Sequence, residues 1–123
     1  MVSRTSVASP SAPLRKSTGL VATITRIAPV GPITRVEDCG VLETGHVRLK
    51  VNGEVRQDAD ISLMIWKIDE IIAKLSEQHE LKAGDIIMTG TPAGVGAVVT
   101  GDVLDCSVDG LADMQVRVGA KAA

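Results

Sequence analysis

Apolar and polar residues alternate from His46 to Val51, where Val47, Leu49 and Val51 share one face, the pattern of a half-buried strand. Asn52-Gly53 follows, a dipeptide that supplies the two positive-φ residues of a type I′ hairpin turn. Glu54 to Gln57 is then the returning strand. The period changes next. Ile61, Met64, Ile65, Ile68, Ile71, Ile72 and Leu75 fall at the i, i+3, i+4 intervals of one helix face, with Lys67, Glu70, Lys74 and Glu77 on the other. Asp58 and Asp60 precede that stretch, where a carboxylate caps free amides and complements the helix dipole; capping is preferred here to a metal pair. Leu81 to Gly84 turns the chain into a strand over Asp85 to Met88. Two more strands are expected at Val103 to Val108 and Met114 to Val118, joined through Asp109-Gly110. A run of strands around one helix predicts a β-rich α+β domain.

The first 27 residues do not share this patterning. They are rich in Ser, Ala, Pro and Arg, and the first acidic residue is Glu37. Such a segment cannot bury enough apolar surface to offset its ordering entropy, so residues 1–27 are expected to be a disordered or unrelated leader, and residues 28–123 the domain. An Arg- and Ser-rich, acid-poor leader also fits an organelle transit peptide, but no amphipathic helix is evident. A secretory signal is excluded because no apolar region follows the basic residues.

Composition narrows the classes further. The 123 residues allow one domain with a modest core. Phe and Tyr are absent and Trp66 is the single aromatic, so that core is aliphatic. The formal charge of −2, without a basic stripe or stacking aromatics, gives no indication of nucleic-acid binding. No apolar run is long enough to span a bilayer. Cys39 and Cys106 lack metal-ligand spacing and are expected to be reduced core thiols, which favours a cytoplasmic setting.

The stretch from Gly84 to Gly96 carries the most chemistry. A short apolar strand runs into Thr89-Gly90-Thr91-Pro92-Ala93-Gly94-Val95-Gly96. Glycine permits positive φ and close approach to bare amides, and a threonine hydroxyl beside them can bind a carboxylate or phosphate oxygen. A loop of this kind serves a small anion or forms a tight structural corner, and its residue types alone leave both open. His46 and His79 titrate near neutrality, but neither has an orienting carboxylate in a recognisable sequence pattern. Both are read as solvated surface residues.

In order, Ala28-Pro29-Val30-Gly31-Pro32, Val51-Asn52-Gly53-Glu54-Val55-Arg56-Gln57, Met64-Ile65-Trp66, Leu81-Lys82-Ala83-Gly84-Asp85, Thr89-Gly90-Thr91-Pro92-Ala93-Gly94-Val95-Gly96 and Gly101-Asp102 resemble the C-terminal part of the fumarylacetoacetate hydrolase family, from about Ala28 to Val118. The variant is most similar to fumarylpyruvate hydrolases and acylpyruvases. The resemblance implies a partial, mixed β-sandwich roll with one main helix that restarts near position 68. It implies metal-dependent hydrolytic cleavage of a carbon–carbon bond in a 2,4-dioxo acid, with Mg²⁺ or Mn²⁺ as the family's cofactor. It places Thr91 beside the substrate carboxylate and Gly90 where the substrate approaches the main chain. Gln57, Thr89 and, more loosely, Asp105 would support the site from behind.

The family takes its metal ligands from a Glu-x-Glu pair and a later Asp, all upstream of the Ala-Pro turn. No Glu-x-Glu occurs in this chain, and Thr23-Ile24-Thr25-Arg26-Ile27 stands where the family carries a lysine and a Phe-Asp pair. A truncated or frame-shifted copy would read this way. The expectation is a chain without catalytic residues or a tight metal site of its own, inactive alone, and a homo-oligomer or complement to another chain. Decarboxylation and isomerisation within the same family remain alternatives.

Overall fold

The Asn52-Gly53 turn forms as its residues dictate, with φ of 52° at Asn52 and 85° at Gly53. A computed structural model describes residues 28–120, together with the backbone of two short strands before them. The elements run β1 (Val2–Ser3), β2 (Leu20–Ile24), α1 (Val36–Cys39), β3 (His46–Val51), β4 (Glu54–Asp60), a 3₁₀ turn (Ile61–Leu63), α2 (Ile68–Ser76), β5 (Ile87–Met88), β6 (Val103–Val108) and β7 (Met114–Val118). The expected leader lies largely outside the described residues. Where its backbone is described, at β1 and β2, it is strand.

Five strands form one mixed sheet in the order β2-β7-β6-β3-β4, parallel at β2–β7 and antiparallel elsewhere. A two-stranded antiparallel ribbon pairs β1 with β5. The architecture is the β-rich α+β class that the patterning predicts. Register assigns the faces. Leu49 stands opposite Cys106 and Val51 opposite Leu104, and these in turn face Met114 and Val116. Partners directly opposite point the same way, so these six side chains make one apolar face. Val116, on β7 between β6 and β2, is 1% exposed. Lys50, Asp105 and Gln115 share the other face.

The hairpin tip is tied to the sheet by side chains. Asn52 donates from Nδ2 to Asp102 at 2.8 Å and accepts the Val103 amide at 2.9 Å. Asp102 also accepts the Val99 amide at 2.8 Å, which closes the long loop ahead of β6. The Val99 amide first, and Asn52 second, hold the Asp102 carboxyl below its ordinary pKa.

Three expectations are corrected. The helix face read by period from Ile61 is interrupted: Met64 is extended (φ −61°, ψ 129°), only one 3₁₀ turn forms before it, and the helix restarts at Ile68, where the family resemblance implied it would. Ile65 is therefore 94% exposed rather than packed. Asp60 does cap, accepting the Ser62 amide at 2.8 Å, but it caps the 3₁₀ turn and also binds the Gly45 amide at 3.1 Å. Asp58 is not a cap, because β4 runs on through it and points it across the sheet to Arg48 and His46. The strand expected from Asp85 begins only at Ile87. Asp85 is spent on a turn, its carboxylate accepting the Lys82 amide at 2.8 Å.

A pH dependence follows from these carboxylates. Hydrogen bonds from His46 and Arg48 lower the Asp58 pKa, those from Ser62 and Gly45 lower that of Asp60, and Asp102 joins them. A depressed folded-state pKa means the unfolded chain binds protons first on acidification. Their stabilisation is present above the ordinary carboxylate range and is lost as pH falls through the folded values. The urea midpoint should therefore drop as pH falls from about 5 to about 2, with a shallower drop for Asp102→Asn. Parallel curves for the two proteins would contradict it.

Candidate functional site

Strand alternation assigns Gln57 to the apolar face, opposite Leu49. It is 8% exposed, and a buried amide is costly unless hydrogen-bonded. Its partners come from the Gly/Thr loop. Gln57 Nε2 donates to Thr91 Oγ1 at 2.9 Å and to the Pro92 carbonyl at 2.7 Å. One side chain on β4 thus clamps the middle of a loop that follows β5, 34 residues further along the chain.

Gly94 completes the seating. Its φ is +102°, and a Cβ there would collide with the Arg56 carbonyl oxygen. Only glycine lets the loop lie directly on β4. Together these contacts frame a cleft of about 310 Å³, floored by Leu49, Val51 and Leu104 and walled by Arg56, Gln57, Thr91 and residues 94–98.

Arg56 is the member that sequence reasoning missed. Pairing jumps from Leu49–Gln57 to Lys50–Val55, leaving Arg56 as the extra residue of a β-bulge. Neighbours on a regular strand point to opposite faces, whereas a bulge re-aims one of them, so Arg56 and Gln57 both line the cleft. The Glu54 carboxylate approaches the Arg56 guanidinium loosely, at 3.7 Å.

Of the residues expected at the site, Thr91 and Gln57 are brought together. Thr89 and Gly90 begin the loop but are not part of the cleft lining. Gly90 has φ +94°, with open space where a Cβ would stand. Asp105 is not brought there. Register turns it to the polar face, where it accepts from Gln115 Nε2 at 2.7 Å beside a separate, larger concavity of about 410 Å³. That concavity is lined by Lys50, Ser107 and Asp113, away from the Gly/Thr loop.

His46 has the orienting carboxylate that no motif disclosed. Its Nδ1 lies 2.8 Å from Asp58, which also accepts from Arg48 Nε at 3.0 Å. The signal was the hairpin register itself, since Arg48 and Asp58 are cross-strand partners. The cluster sits on the polar face, exposed to solvent. Cys39 and Cys106 are free thiols. Burial, and then the Asp105 charge, raises the Cys106 pKa, so its thiolate is disfavoured and it makes a poor nucleophile.

The mixed sheet thus seats a Gly/Thr loop over a small cleft whose lining includes a bulge-borne arginine. The chain belongs to the fumarylacetoacetate hydrolase family: the model of the fumarylacetoacetate (FAA) hydrolase C-terminal domain matches residues 3–119, reaching well before Ala28. It is 47% identical over 79 residues to a fumarylpyruvate hydrolase from Ralstonia sp, covering 64% of this chain and 41% of that protein. It is 47% identical over 70 residues to the mitochondrial oxaloacetate tautomerase FAHD1 of Homo sapiens, covering 57% of this chain and 32% of the relative. Among solved structures, the fumarylpyruvate hydrolase of Pseudomonas aeruginosa in complex with Mn²⁺ and pyruvate superposes with a TM-score of 0.72 at 40% identity, covering 74% of this chain and 39% of that one. The chain spans about two fifths of the length of the hydrolases it matches.

The Mn²⁺ in that relative raises the question of whether this chain could hold one. A hard divalent cation needs several oxygen ligands gathered at one point. Among the described residues, no group of three His, Cys, Asp or Glu side chains is placed to hold a metal ion. The donor set of the described residues does not fit the ion, so no chemical step is assigned through it. Among the described residues, no helix is long and apolar enough to cross a membrane.

Proposed function

We propose that this chain supplies the acid-binding wall of an acylpyruvate-cleaving enzyme of its family, the parent activity being metal-dependent hydrolysis of a carbon–carbon bond in a substrate such as fumarylpyruvate. The observation that carries this is the clamp of Gln57 on Thr91 and Pro92, which holds the Gly/Thr loop open over a cleft. The relative bound to Mn²⁺ and pyruvate supports a pyruvyl head as the group recognised. Thr91 donates to its carboxylate, and a hydrogen bond to a charged group is worth about 1.5–3 kcal/mol. Mg²⁺ or Mn²⁺ serves the complete site, through carboxylates supplied from outside these 123 residues. The two free thiols fit a cytoplasmic setting.

On this reading the purified chain does not turn over fumarylpyruvate. Its 2,4-dioxo absorbance, followed with Mg²⁺ or Mn²⁺ present, stays flat. Loss of that absorbance at a rate that rises with metal would overturn the proposal of inactivity.

A second reading rests on a separate observation. Leu63, Ile65, Trp66, Met88 and Val95 are exposed on the described residues. Apolar surface of this extent suits a dimerising or complementing fragment. Light scattering during size exclusion distinguishes the two, since a well-behaved monomer disfavours the second. Tautomerisation, as in the human relative's name, or decarboxylation would use the same acid-binding wall.

A further inference from the structure

The Gln57 amide has one permitted orientation. The Pro92 carbonyl can only accept, so the end of the amide 2.7 Å from it is the nitrogen. The same nitrogen lies 2.9 Å from Thr91 Oγ1 and directs its second hydrogen there. Thr91 therefore receives a hydrogen bond on one lone pair. Its own hydroxyl hydrogen is free to point elsewhere, and Thr91 lines the cleft.

We infer that Gln57 is a positioning residue that fixes the polarity of the Thr91 hydroxyl, making it a donor to an anionic oxygen and so selecting a carboxylate for the cleft. This rests on the reading of the loop as an acid-binding wall. Burial makes the arrangement rigid, because Gln57 is more than nine-tenths buried and both its amide hydrogens are used. The bulge adds the cation. It puts Arg56 in the lining of the same cleft, with its guanidinium 3.7 Å from Glu54 and near enough to Asp102 to act on that carboxylate. Three features line one cleft: the Thr91 hydroxyl, Arg56, and an apolar floor of Leu49, Val51 and Leu104.

The test compares Gln57→Leu with Gln57→Glu by titrating pyruvate into the ¹⁵N-labelled chain. Leucine removes the constraint and leaves Thr91 free to rotate, whereas glutamate accepts the Thr91 proton and adds a negative charge. The expected losses in affinity are about tenfold for leucine and about a hundredfold for glutamate. Because the glutamate charge repels pyruvate wherever Thr91 points, selectivity decides: Gln57→Leu should lose affinity for pyruvate but much less for its neutral amide, and equal losses for the two ligands, or none, overturn the inference while leaving the acid-binding reading intact. Failure of the wild-type chain to bind pyruvate removes both. If either variant does not fold, Thr91→Val decides in an otherwise native clamp: one of the two Gln57 side-chain amide protons shifts on loss of its acceptor. An unmoved pair overturns the inference.

Discussion

Gly94→Ala should unseat the Gly/Thr loop and cost about 3 kcal/mol of stability. Two penalties act at one atom. At φ +102° an L-residue is strained whatever its surroundings. The added Cβ would also occupy the space of the Arg56 carbonyl oxygen, which belongs to the strand backbone and cannot swing aside. Relief requires the loop to lift from β4, and lifting breaks the bonds from Gln57 to Thr91 and Pro92. Breaking them leaves a buried amide unpaired, at a further ~1–3 kcal/mol if water cannot enter. Gly96→Ala is the control, because open space surrounds its Cβ position. Urea unfolding should separate the two variants clearly, and equal midpoints would refute the argument.

Ile61→Ala carries the second large effect, a loss of about 3 kcal/mol. Ile61 is 3% exposed, at the point where β4 ends and the 3₁₀ turn starts. Its amide donates to the Gly45 carbonyl at 2.8 Å, tying that corner to the entry of β3. Among the described residues, Val51, Ile61 and Val116 are the buried hydrophobic side chains, so truncating one removes a large share of a small core. Ile65→Ala, four positions on and almost fully exposed, should stay within about 0.5 kcal/mol of the parent. If the two substitutions cost the same, the helical period, which treats both isoleucines as core, describes this segment better than the interrupted path does.

That pair of isoleucines shows where sequence reading stopped working. Period identifies which residues are apolar on one face only if the backbone stays helical throughout. The extended Met64 breaks the count, and nothing in the local residue types announces it. The hairpin was legible because Asn52-Gly53 selects its own turn and fixes the register of β3 on β4. The strands at Val103–Val108 and Met114–Val118 were legible for a similar reason, with Asp109-Gly110 ending the first and Gly110 taking φ +82°.

The site was half legible. Thr91 could be picked from its loop, and Gln57 from the resemblance that its hairpin carries. The bulge at Arg56 was invisible, because an extra residue in a strand leaves no trace in alternation only a few residues long. Asp105 was placed loosely near the site, yet one step of register carries it to the opposite face. The His46–Asp58–Arg48 cluster depends on pairing across the hairpin rather than on spacing along the chain.

The most direct test of the central claim is a residue-resolved titration of the wild-type chain with pyruvate, followed through its backbone amides without added metal. Weak, saturable shifts confined to Arg56, Gln57 and the loop from Thr91 to Val98 are the predicted result. Shifts centred on Lys50, Ser107 and Asp113, or none at millimolar pyruvate, would contradict it.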